Sequence, residues 1–147
     1  MSAARQLVEL VDEVFRLSEA FVRAGDRIVA EDDLTASRWM TLGAVAHGPL
    51  SVAGIARRRG MRRQSASESV TWLEAAGLVT RAPDPTDARA PLVHLTDEGR
   101  RTLDRIRPRR VAWAERTAAV ATSDELAAAV DLLRRLREAL ADADSTR

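Results

Sequence analysis

The chain has 147 residues and a net charge of +1; 46% of its residues are hydrophobic but only 3% aromatic, so one domain with an aliphatic, Ala-rich core is expected. The absence of cysteine excludes disulfides, thiolate zinc sites and thiol redox sensing, and two histidines, His47 and His94, leave little for any other metal. No apolar run is long enough to span a bilayer and MSAARQLVELVDE lacks a signal-peptide pattern, so the expected setting is cytoplasmic, away from the membrane.

Arg5 to about Ala30 reads as one long helix. Leu7, Val11, Val14, Ser18 and Phe21 form one stripe; Leu10, Val14, Leu17, Phe21, Ala24 and Ile28 form another. That apolar face is wider than one neighbour needs, so the helix is either deeply buried or packed on a second subunit. Gly25 is expected to bend or fray it, and Glu31, Asp32 and Asp33 to form an acidic link. Thr35 caps a second helix running to about His47, with Trp39, Leu42, Val45 and Ala46 inward, and Gly48-Pro49 breaks it. Ser51 caps a short third helix, Val52 to Arg59, and Gly60 supplies a turn. A fourth helix then runs from Met61 to Ala76 and ends at Gly77. Helix, short turn, helix is the helix-turn-helix order. Ala66, Val70 and Leu73 form the underside of the fourth helix, while Arg63, Gln64, Ser65, Ser67 and Glu68 form a donor-rich outer face.

Two short strands, Leu78–Arg81 and Leu92–Leu95, are expected around the loop APDPTDARAP, whose prolines stiffen it and bar a longer ladder. This hairpin is a wing with Arg89 at its tip. Thr96 caps the next helix, with Asp97 and Glu98 in its first turn, running to about Ala121 with a kink at Pro108. Thr122 and Glu125 form a capping box for a last helix to about Ala141. Leu126, Ala129, Leu133, Leu136 and Leu140 give it a coiled-coil-like seam that wants partner helices. Residues 142–147 are expected to fray.

Charge is unevenly spread. Residues 1–37 carry four Arg and eight acids, residues 38–116 fifteen Arg and eight acids, and residues 117–147 four Arg and six acids. Positive charge concentrated in the middle is the pattern of a segment that meets a polyanion. Its densest point is Arg57, Arg58, Arg59, Arg62 and Arg63.

With those elements in place, the chain resembles the MarR family of winged helix-turn-helix transcriptional regulators. The resemblance rests on LTASRW at 34–39, GPLSVAGIARR at 48–58, RQSASESVTWLEAAGLVTR at 63–81 and DPTDARAPLVHLTDEGR at 84–100. The D-x-R wing followed by L-V-x-L-T and a helix is its most specific part. The implied fold is mainly α with a small β-hairpin wing. A DNA-binding domain at 34–99 would be flanked by dimerisation helices at 1–33 and 100–147. The family also implies a homodimer and a double-stranded DNA partner; no cofactor is expected. The apolar stripe at 7–28 and the seam at 126–140 agree with such a dimer, and equally with an intramolecular helical bundle.

In the family geometry the fourth helix enters the major groove. Gln64 can pair bidentately with adenine and Arg62 or Arg63 with guanine, while Ser65 and Ser67 can serve bases or phosphates. Gln64 and Ser67 are the preferred base readers, with Arg63 shared between base and phosphate. Ser51 suits a phosphate at a helix start; Arg57 and Arg58 suit phosphates or a solvated face. By resemblance, Arg89 is the wing's minor-groove residue and Asp87 the acid that holds an arginine in place. Arg81 is expected at the DNA backbone. Two positions depart from the family. Glu68 replaces a basic residue, and either accepts from cytosine N4 or pairs with Arg62 or Arg63. Ser69 stands where relatives place Leu.

Relatives often bind small molecules between the winged domain and the dimer helices. Arg38, Trp39, His47 and Trp113, with Phe15 and Phe21, are the residues that could line such an effector site, although Trp and Phe on helical stripes also serve as core. No Gly-x-Ser-x-Gly, phosphate-cradling loop or carboxylate pair supports an enzyme. The expected function is therefore a sequence-specific repressor on a near-palindromic operator. The alternatives are a winged module acting through protein contacts and a non-specific DNA binder.

Overall fold

The computed structural model describes residues 1–145. The first helix, α1 (Ala3–Val29), starts at Ser2, whose hydroxyl accepts from the Arg5 N–H at 3.3 Å. Gly25 does not fray it, for the helix runs on to Val29. The glycine is buried, and a Cβ there would lie 2.8 Å from the Ala36 Cβ, so α1 meets α2 (Ala36–Ala44) too closely for any side chain. Asp26 adds a second tie by accepting from the Ala36 N–H at 2.7 Å.

The acidic link is a 3₁₀ turn, Ala30–Asp32, closed by Asp33 at φ 56°. Asp32 is not solvated: its side chain is 4% exposed and takes a 2.9 Å ion pair from Arg105. Thr35 caps α2 by accepting from the Arg38 N–H at 3.2 Å, as expected. The helix stops at Ala44, short of His47. Two arginines supply donors beside its last turns: Arg59 Nε donates to Met40 O at 2.9 Å and Arg100 Nη2 to Ala46 O at 2.6 Å.

Next come β1 (Leu50–Ser51), α3 (Val52–Arg59), α4 (Arg63–Ala75), β2 (Val79–Asp84), β3 (Asp87–Leu95) and α5 (Asp97–Ala118). The strands form one antiparallel sheet in the order β1-β3-β2. The expectation of two short strands around a long loop is thus corrected twice. A third strand pairs Leu50 with Val93 and Ser51 with Leu92. The hairpin itself runs out to Asp84 opposite Asp87. Prolines did not bar it, because the ladder skips between Ala82 and Asp84, and Pro83 and Pro91 fall in that irregular stretch where no ladder donor is required.

Leu42, Ile55, Leu73 and Ile106, with Val29, Val45, Val70, Val79 and Val93, make the core of this unit. Helices α2, α3, α4 and the start of α5 therefore close over the sheet. Gly99, in the first turn of α5, has the backbone carbonyl of Leu78 where a Cβ would be. Thr96 holds that junction: its hydroxyl donates to Gly77 O at 2.7 Å and accepts from the Gly99 N–H at 3.0 Å.

The chain divides at Pro108, inside α5, into two compact units. Beyond it lie the end of α5 and α6 (Ser123–Ser145). The expected fraying of residues 142–145 does not occur, and residues 146–147 lie outside the described part. The capping box forms as read: the Thr122 N–H donates to Glu125 Oε2 at 2.8 Å, and the Glu125 N–H to Thr122 Oγ1 at 3.2 Å.

The Thr122 N–H, and then its hydroxyl, hold the Glu125 carboxyl below its ordinary value of 4.5. A carboxyl lowered in the folded state contributes stability above its unfolded value and loses it as the pH falls through the folded one. Protection of the Thr122 amide, its exchange rate relative to that of an unfolded amide at the same pH, is expected to drop on acidification below 4.5. In Glu125→Gln that acid-dependent step is expected to vanish.

Candidate nucleic-acid interface

The α3–α4 turn is built by two local devices. Ser51 caps α3 by accepting from the Gly54 N–H at 3.0 Å, so its hydroxyl oxygen already has a partner. Gly60 takes φ 62° at the end of α3, and the Met61 N–H donates back to Ala56 O at 2.9 Å. The chain then re-enters a helix at Arg62, whose side chain makes no cap.

On α4 the buried side is Ala66, Ser69, Val70 and Leu73. Ser69 belongs to this underside, its hydroxyl 3.3 Å from that of Ser37 on α2. Where a Leu would add apolar surface, this chain sets a hydroxyl pair across the α2–α4 contact. The spacing itself signalled it, since Ser69 lies three residues from Ala66 and four from Leu73.

Opposite that side, Gln64, Glu68 and Thr71 are exposed, with Ser67 half-buried beside them and Ser65 half-buried nearer the turn. Gln64 Nε2 donates to Glu68 Oε1 at 3.0 Å. This corrects the expected pairing of Glu68 with Arg62 or Arg63: a glutamine one helical turn away is nearer its reach. Thr71 Oγ1 donates to Ser67 O at 3.1 Å and accepts from Arg81 Nη2 at 3.1 Å. Arg81 also lies 3.4 Å from Glu74, so it braces β2 against α4.

At the wing, Asp84 Oδ1 accepts from the Thr86 N–H at 2.9 Å and its hydroxyl at 2.8 Å. These bonds, the backbone one first, hold the Asp84 carboxyl below the usual carboxylate range. Asp87 Oδ1 accepts from the Arg89 backbone N–H at 3.0 Å. The acid therefore fixes the arginine's main chain and leaves its guanidinium outward.

A division among the arginines follows. Arg81, Arg101, Arg105 and Arg107 have carboxylate partners. Arg57, Arg58, Arg62, Arg63 and Arg89 are exposed and make no ion pair among the described residues. The helical pairs of Arg101 with Glu98 and Arg107 with Asp104 follow from i,i+3 spacing, whereas the partners of Arg81 and Arg105 are set by the fold.

The residues read as an effector site are scattered in character. The Arg38 guanidinium stacks 4.1 Å over the Trp72 ring, a cation–π contact between α2 and α4 with no local sequence signal. Trp39 is half-buried against the core. His47 is exposed, and Trp113, half-buried, belongs to the unit beyond Pro108. Among the described residues no group of three His, Asp or Glu can hold a metal ion.

A sequence model of the MarR family matches residues 32–90, the span from the 3₁₀ turn to the wing. The HTH-type transcriptional repressor NicR of Pseudomonas putida is 31% identical over 107 residues, covering 72% of this chain and 68% of NicR. The chain belongs to the MarR family. Solved MarR-like folds superpose on it widely. A MarR family transcriptional regulator from Silicibacter pomeroyi gives a TM-score of 0.82 at 22% identity, over 96% of this chain and 95% of its own. The PcaV transcriptional regulator of Streptomyces coelicolor, solved with its natural ligand, gives 0.69 at 30% identity over 84% and 91%. MarR family members are transcription regulators and not enzymes, which places this chain among regulators.

Proposed function

We propose that this MarR-family regulator is a homodimeric repressor that reads a near-palindromic operator in double-stranded DNA. The observation that carries the proposal is a group of exposed arginines that make no ion pair among the described residues and lie on α3, at the start of α4 and on the wing: Arg57, Arg58, Arg62, Arg63 and Arg89. In this reading Gln64 and Ser67 meet base edges, with Arg62, Arg63 and Ser65 on bases or phosphates at the helix start. Arg57, Arg58 and the Ser51 turn serve phosphates, and Arg89 reaches the minor groove with Asp87 fixing its backbone. Arg81 contributes from the bracing position described above.

Dimerisation through residues 1–33 and 100–147 is supported by the apolar residues that one chain leaves exposed. They include Val8, Val11, Val14 and Leu17 on α1, and Leu126, Val130, Leu133 and Leu140 on α6. The repressor sign follows NicR, and a small-molecule effector is suggested by the ligand in PcaV. Arg38, Trp39, His47 and Trp113 remain the residues to test for it. Among the described residues no helix is long and apolar enough to cross a membrane, which suits work on cytoplasmic DNA.

The test is a gel-shift titration with the DNA flanking its own gene, at two salt concentrations and against scrambled competitor. Tight binding that resists competitor and weakens steeply with salt is expected, with a log–log slope of about −0.9 per phosphate contact. Arg62→Ala with Arg63→Ala is expected to flatten that slope by roughly 1–2. Competition by scrambled DNA on equal terms would instead point to a non-specific binder, and no binding at low salt to a protein partner.

A further inference from the structure

The exposed face of α4 holds more polar groups than are free to meet a ligand. Gln64, Ser67, Glu68 and Thr71 share that face at i, i+3, i+4 and i+7. Thr71 is spent: its hydroxyl donates to Ser67 O and accepts from Arg81. Gln64 is half spent, with one amide N–H given to Glu68 at 3.0 Å. What remains is the Gln64 carbonyl oxygen, its second N–H, the Ser67 hydroxyl and the far oxygen of Glu68.

A carboxylate only accepts hydrogen bonds, so the Gln64 amide must turn its nitrogen toward Glu68 and its oxygen away. The pair is thereby fixed in one of the two orientations a free glutamine would sample. One acceptor and one donor are left in a set order, the pattern complementary to the N6 amine and N7 of adenine. Guanine offers two acceptors at the same edge and would face the Gln64 oxygen with its O6. Glu68 also makes no ion pair among the described residues, so no cation of the chain offsets its carboxylate. Close to phosphates, that charge opposes every complex that base pairing to Gln64 does not repay.

We propose that Glu68 is a positioning residue for specificity: it locks the Gln64 amide so that α4 selects adenine at one operator position, and its charge suppresses binding elsewhere. The inference rests on the DNA-reading function proposed above.

The experiment is selection of duplexes from a randomised pool by the full-length chain, followed by sequencing, for the wild type, Gln64→Ala and Glu68→Gln. Glutamine at 68 keeps size and helix contact, but can present either a carbonyl or an N–H to Gln64 and so releases the lock. Wild type is expected to select an A·T pair in each half-site that Gln64→Ala loses. In Glu68→Gln, preference at that one pair is expected to fall about fivefold or more while the rest of the consensus holds. The same variant is expected to bind scrambled duplex more tightly than wild type does. An unchanged consensus in Glu68→Gln would overturn the positioning role and leave an ordinary helix-surface pair. A wild type that selects no consensus would overturn the DNA-reading function, and this inference with it.

Discussion

Exchanging Leu17 for glutamate is expected to yield a folded monomer that binds operator DNA at least ~100-fold more weakly, because two linked half-site contacts become one. Leu17 is 50% exposed in the single chain, and its neighbours on the face, Val11 and Val14, are 44% and 41% exposed. A charge there costs the isolated chain little, since water already reaches the position. In a dimer the same carboxylate is buried without a partner, at several kcal/mol. Light scattering reads the mass, and circular dichroism shows that α1 persists. A Leu17→Glu protein that remains a dimer would move the interface off this face.

Gly99→Ala is expected to be the most damaging single methyl in the winged unit, costing about 3 kcal/mol or more of stability. Its Cβ would fall on the Leu78 carbonyl oxygen and 2.7 Å from Leu95 Cδ1. Leu95 can rotate, but the carbonyl cannot withdraw: Leu78 O accepts from the Thr96 N–H at 3.1 Å and is tied to the strand beside it. Urea unfolding of Gly99→Ala against wild type checks the value. Gly25→Ala meets a single Ala36 Cβ at 2.8 Å and is expected to cost less, because α1 and α2 can part slightly.

These two glycines mark where sequence reading stops. Caps were legible because a cap is a relation over three residues: Thr35, Ser51, Thr96 and the Thr122–Glu125 box all sit where the pattern put them. The underside of α4 was legible from its period. Gly25 and Gly99 were not, since each answers to a neighbour distant in the sequence and on another element, and a lone Gly in a helix reads as a weakness. The wing was half legible. Its prolines argued for a loop, and only the register skip shows how a ladder passes them.

The site divides in the same way. Residue types on α4 could be named, but their commitments could not. Arg81 to Thr71, Arg38 to Trp72 and Arg59 to Met40 O are contacts of the fold, whereas Gln64 to Glu68 is an i,i+4 pair that spacing allowed; together they decide which donors remain. Glu68, an oddity in a row of donors, becomes the group that orders its neighbour.

In the proposed complex two copies of α4 read adjacent major grooves. Hydroxyl-radical footprinting on the fragment flanking the gene checks this arrangement. The predicted result is two dyad-related protected stretches about one helical turn, ~10 bp, apart, with added protection where each wing reaches the minor groove. A single protected stretch, or uniform weak protection along the fragment, would contradict it.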